Sequence, residues 1–184
     1  MTEATASAQE ERPVRVVFVC WGNICRSPMA ERVAEHAAAE AGVHRVEFSS
    51  AATSTEELGQ PMDWRAAAVL SERGYRHDHH RAHQITANEI VGADLVIAME
   101  DIHVRKMLAI APGSTNISLL TDYDPGAEPG SGVPDPWYGS PAGFYGTLDA
   151  IEAAMPAILE RIRELQSTPP AALASDRPRQ SDGR

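Results

Sequence analysis

Arg15-Val16-Val17-Phe18-Val19-Cys20-Trp21-Gly22-Asn23-Ile24-Cys25-Arg26-Ser27-Pro28 is the stretch that decides the fold. Its first part is a nearly continuous apolar, β-branched run, the pattern of a strand covered on both faces. Its second part turns through Gly22 and Asn23 and reaches a proline, which costs nothing at a helix's first position. Strand, tight loop and helix in that order open a βα unit. In parallel sheets built of such units, ligands bind beyond the carboxyl ends of the strands. The loop amides and the unsatisfied amides at a helix start together make a cradle for an anion. Gly22 and Asn23 are residue types that accept the left-handed backbone needed to turn amides inward.

Further along the chain, Val46–Ser49, Asp94–Met99 and Asn116–Leu120 read as three more strands. Helices fit the gaps at about Pro28–Ala41, Pro61–Arg73, Glu100–Ile110 and Pro141–Leu165. The alternation predicts an α/β fold: a three-layer sandwich around a central four-stranded parallel sheet with right-handed crossovers. One domain over 14–166 suits a chain of 184 residues. The tails, 1–13 and 167–184, hold too few apolar residues to offset the entropy of ordering and are expected to be disordered.

A formal charge of −10 argues against general affinity for nucleic acid, so an anionic substrate needs a local positive pocket. No apolar run approaches the roughly 20 residues of a spanning helix, and the N-terminus carries no basic-then-apolar signal pattern. A cytoplasmic protein without membrane insertion is expected, although export without a readable signal leaves no trace in a sequence. A monomer is the default expectation. The two cysteines, Cys20 and Cys25, are too close to form a useful structural staple, and there is no Cys-x-x-Cys pair for zinc.

Amide dipoles and Arg26 both favour the thiolate of Cys20, making it a nucleophile at neutral pH. Arg26, six residues on, has a planar fork that matches two phosphoryl oxygens. Ser27 offers a hydroxyl to the sulfur. The bland alternative is an inert buried cysteine beside a glycine turn. A nucleotide-binding P-loop fails for want of Gly-Lys-Ser/Thr.

This loop resembles, almost residue for residue, the Cys-x5-Arg-Ser signature of low-molecular-weight protein tyrosine phosphatases, and the resemblance runs from about Arg15 to Leu165. It implies a phosphocysteine-forming Cys20, Arg26 as transition-state clamp, Ser27 as thiolate stabiliser and Asn23 fixing the turn. Trp21, Gly22, Ile24 and Cys25 complete the substrate loop, and Ser50 and His80 brace Asn23 from behind. Cys25 matches a second loop cysteine of the family, able to form a reversible disulfide with Cys20; packing as a small hydrophobe beneath the loop carries equal weight.

Pro134-Asp135-Pro136-Trp137-Tyr138-Gly139 resembles the family's Asp-Pro-Tyr-Tyr-Gly segment. That makes Asp135 the general acid and then the base, with Asp124 a lesser rival. Trp137 and Tyr138 would wall a slot deep enough to exclude phosphoserine. On the opposite rim Glu56 stands where the family carries Tyr or Trp, and Trp21 where it carries a small or aliphatic residue. Trp21 is expected to supply the missing wall. Glu56 either disfavours acidic flanks and favours basic ones or is a plain exposed carboxylate.

The run with His77, His79, His80 and His83 raises a metal site, but a thiolate phosphatase needs none, and neither metal nor other cofactor is expected. The implied partners are phosphotyrosine-containing proteins, a bacterial tyrosine kinase among them. Three rival functions remain. Related arsenate reductases use further cysteines absent here, and arginine phosphatases typically carry Thr where this loop has Ile24. A phosphopeptide-binding module would need neither nucleophile nor acid.

Overall fold

The computed structural model describes residues 12–167. Apart from positions 12, 13 and 167, the tails expected over 1–13 and 167–184 lie outside the described residues. The strands are β1 (Val14–Cys20), β2 (Val46–Ala52), β3 (Leu95–Ala98) and β4 (Ile117–Leu119). They form one parallel sheet in the order β2-β1-β3-β4. The helices are α1 (Arg26–Glu40), α2 (Trp64–Glu72), α3 (Ala87–Gly92), α4 (Asp101–Ile110) and α5 (Ala142–Ser167).

Strand side chains alternate between faces, and β1 feeds both cores. Val16, Phe18 and Cys20 join one cluster with residues of α1, α2 and α5. Val17 and Val19 join a second, against Ile90 of α3 and Met107 of α4. The three-layer sandwich is therefore formed by one apolar strand buried on both sides. Among the described residues no helix is long and apolar enough to cross a membrane.

Several boundaries differ from the sequence reading. The first helix begins at Arg26 rather than Pro28, so Pro28 sits inside the first turn, where backbone amides lack intrahelical partners anyway. The second begins at Trp64 rather than Pro61, because Asp63 caps it by accepting from the Arg65 amide. Helix α3 was not expected. Its signal was present as a capping box, Thr86 with Glu89 three residues on.

Helix α5 continues through Pro156. An interior proline costs about 3 kcal/mol. The buried stripe of Phe144, Leu148, Ile151, Met155, Ile158 and Ile162 stabilises by about 1.5–3 kcal/mol per large side chain, so packing outweighs the break.

The chain crosses from β1 to β2 on one side and later enters β3 on the other. The carboxyl ends of β1 and β3, paired at Val19 and Ala98, thus flank a topological switch point. Cys20 ends β1 there, and Glu100 lies just beyond β3.

Candidate active site

The loop after β1 is fixed by Asn23, which adopts φ of 57° and is fully buried. A left-handed residue other than glycine costs roughly 1–2 kcal/mol, so the loop must compensate locally. It does so through the side-chain amide. Asn23 Nδ2 donates to Ser27 Oγ and to Ser50 Oγ, each at 2.9 Å, while its Oδ1 accepts from the His83 amide at 3.1 Å. His80 Nε2 lies 2.6 Å from the Asn23 carbonyl, and because a carbonyl only accepts, the His80 proton is on Nε2. Burial pushes the His80 pKa down, which keeps the ring neutral. Ser50 in turn donates to Glu31, a carboxyl that burial pushes up.

Gly22 does not use the left-handed backbone expected of it. Its φ is not positive, and a Cβ added there would meet Glu57 Cγ at 3.1 Å. A side chain at that position would require Glu57 to give way by a few tenths of an ångström.

Cys20 is 2% exposed, and its Sγ lies 3.0 Å from Ser27 Oγ. Since Ser27 Oγ accepts from Asn23, its own hydrogen is left for the sulfur, which is nearer than the Ala51 carbonyl at 3.4 Å. Cys25 is free and buried, and burial pushes its thiol pKa up, so it stays protonated.

Arg26 is 1% exposed. A buried guanidinium needs partners, because its desolvation costs several kcal/mol. One terminal nitrogen donates to Glu100 and to the Val133 carbonyl at 2.8 Å, which uses both of its hydrogens. The other donates to Asp135 Oδ2 at 2.8 Å, and Nε meets no acceptor among the described residues. Of five N–H bonds, three are committed, and Nε–H with one terminal hydrogen remains, the pair that matches two oxygens of a tetrahedral anion.

Glu100 is itself placed by His103, whose Nδ1 accepts from the Glu100 amide at 3.1 Å. His103 is wholly buried, which pushes its pKa down to about 3.

The segment carrying Asp135 is held against the end of β3. Gly132 has φ of 72°, and a Cβ there would come within 3.0 Å of the Met99 carbonyl. The Val133 amide donates to that same carbonyl at 2.7 Å. Asp135 Oδ1 accepts from the Trp137 amide at 3.1 Å, capping a 3-10 turn over Pro136–Tyr138. Asp124 accepts from the Gly126 amide and acts as a turn residue away from the cleft.

Cys20, Trp21, Gly22, Ile24, Cys25, Arg26, Glu56, Asp135, Trp137 and Tyr138 line one cleft, together with Glu57. Trp137 is flanked by Arg65, 4.9 Å from the ring centroid, which Asp63 holds in a bidentate pair. Tyr138 is 89% exposed. Trp21 donates from Nε1 to Glu56 at 2.9 Å, and Lys106 Nζ lies 4.5 Å from its ring centroid. The histidines at 77–83 do not converge: His80 serves Asn23, His83 pairs with Glu89, and His77 and His79 are exposed. Among the described residues no three potential ligands cluster as a metal would require.

Residues 15–168 match the family model described as low molecular weight phosphotyrosine protein phosphatase. The chain belongs to that family. A low molecular weight protein-tyrosine-phosphatase of Streptomyces coelicolor is 42% identical over 155 residues, covering 82% of this chain and 94% of the relative. A protein tyrosine phosphatase of Entamoeba histolytica, solved with Hepes in its active site, matches with a TM-score of 0.78 at 28% identity, covering 83% of this chain and 99% of that one. Wzb of Vibrio vulnificus, solved with benzylphosphonate, matches with a TM-score of 0.71 at 27% identity, covering 80% and 98%.

Family membership agrees with the resemblance carried by the cysteine loop. Sequence reasoning missed Glu100, His103, Glu31, Arg65 and Lys106, which support the site from other elements. Only Glu31 had a local signal, as a carboxylate on the helix that the loop opens.

Proposed function

We propose that this chain hydrolyses phosphotyrosine in proteins through a phosphocysteine on Cys20. The observation that carries the reading is the hydrogen-bond accounting of Arg26: a buried, oriented guanidinium with two donors uncommitted, in the same cleft as the Cys20 sulfur. In the first step the Cys20 thiolate attacks phosphorus, the bond from phosphorus to the tyrosine oxygen breaks, and Asp135 gives that oxygen its proton. In the second, Asp135 takes a proton from water, whose oxygen attacks phosphorus, and the thiolate departs to Ser27. Nε–H and the spare hydrogen of Arg26 hold the oxygens on which charge collects, beside the loop amides.

An aryl leaving group suits Trp21, Trp137 and Tyr138 around the slot. The benzylphosphonate bound by the Vibrio vulnificus relative likewise carries a flat phenyl ring close to its phosphorus. Ile24 gives the loop no hydroxyl for a phosphoramidate, and two cysteines are too few for a relay to a reductant. Partners are then phosphotyrosine-bearing proteins, with a tyrosine kinase whose products the enzyme would reverse.

Phosphate release from matched phosphotyrosine, phosphoarginine and phosphoserine peptides, with a chelator present and Cys20→Ser as the blank, tests the reading. Rapid release from phosphotyrosine alone is expected, and Asp135→Asn should slow it about 100-fold or more. Preference for phosphoarginine, or release equal to the blank, would overturn it.

A further inference from the structure

Lys106 is the only lysine in the chain. It projects from α4 onto Trp21, with Nζ 4.5 Å from the ring centroid, and it is half-buried. Its neighbour Arg105 pairs with Asp101 at 2.8 Å, but no carboxylate among the described residues lies within ion-pair distance of Lys106. Its ammonium rests on an aromatic face with no carboxylate beside it, which leaves it able to take an anion. Trp21 lines the substrate cleft and Lys106 does not, so the cation stands one ring away from the cleft.

Resting on the phosphotyrosine reading above, we propose that Lys106 is a specificity-determining residue that recruits a second anion, a carboxylate or another phosphate, next to the phosphotyrosine. An extended peptide advances about 3.3–3.6 Å per residue, so a side chain one or two positions from the phosphotyrosine reaches the outer edge of Trp21. Glu56 and Glu57 oppose this choice by charge. Glu56, however, is exposed, hence screened, and its carboxylate already accepts from Trp21 Nε1. Lys106 has no carboxylate partner to give up, whereas Glu56 is solvated and already bonded, which leaves Glu57 to oppose an acidic flank. Glu56 thus acts by anchoring Trp21 rather than by repelling acidic flanks.

The test compares phosphotyrosine peptides with neutral, glutamate, phosphoserine or lysine flanks at positions one and two on either side. Each kcat/KM is divided by that for phenyl phosphate, which is too short to reach Lys106. The intact enzyme should favour glutamate or phosphoserine flanks over neutral ones by about 5-fold at low salt, chiefly through KM. Lys106→Gln should bring that ratio to about one, and Lys106→Arg should restore it. The glutamate and phosphoserine arms separate the two sources of the anion.

Normal turnover with equal rates on all flanks, or an acidic preference that survives Lys106→Gln, overturns the role of Lys106. A preference for lysine flanks returns selectivity to Glu56 and Glu57. Failure to hydrolyse any phosphotyrosine peptide or phenyl phosphate removes the underlying reading and this one with it.

Discussion

At Asn23 both amide hydrogens go to the buried Ser27 and Ser50 and the side-chain oxygen to the His83 amide, all within 3.1 Å. Tyr138, on the same cleft, is 89% exposed, and its neighbour Trp137 leans on a single arginine. The cradle and the rim differ because they answer to different penalties. Buried polar groups that lose a partner cost about 1–3 kcal/mol each, so the cradle is specified atom by atom. Rim side chains exchange contacts with water at little cost, which leaves them free to differ between relatives.

The contrast breaks most visibly at Arg26. Arg26→Lys keeps the charge but loses the fork, and it cannot serve Glu100, Val133 and Asp135 together with two phosphoryl oxygens. A fall in kcat/KM of about 10³-fold on a phosphotyrosine peptide is expected. A fall below about 10-fold would mean that positive charge alone suffices and that the bonds around Arg26 do not aim it.

His103 sharpens the comparison through pH. Its pKa is near 6.5 unfolded and about 3 folded, so the fold is favoured while the ring is neutral. That contribution is present above pH 6.5 and is lost as pH falls toward 3. Denaturant unfolding of the intact protein should therefore lose stability across that window, by several kcal/mol at most. His103→Asn removes the titrating group and should give a flatter profile, whatever its absolute stability. Parallel pH profiles for the two would place the acid sensitivity elsewhere, for instance in Asp63 or Glu89, whose hydrogen-bonded carboxyls lie below their usual range.

The rim should respond least. Trp137→Leu keeps an apolar surface and removes the ring beside Arg65. It should raise KM for phosphotyrosine peptides a few-fold with kcat nearly intact, the signature of a binding contact equal in ground and transition states. A loss confined to kcat would instead show that Trp137 sets the position of Asp135, whose carboxylate accepts from the Trp137 amide.

The chain from Arg15 to Pro28 determined a great deal unaided. A doubly buried strand, a tight loop and a helix start dictate a parallel sheet, and Cys20, Arg26 and Ser27 follow as local neighbours of the amide cradle. Helix α3 is marked in the sequence by its capping box, but six residues are too few to show a helical periodicity. What only the tertiary structure decided is how Arg26 is aimed and what surrounds Trp21. The partners of Arg26 lie 74, 107 and 109 residues away, and Lys106 reaches Trp21 from α4. A buried charge must be satisfied by whatever groups the sheet order carries to it. That order joins the ends of β1 and β3 in space, which no local spacing along the chain records.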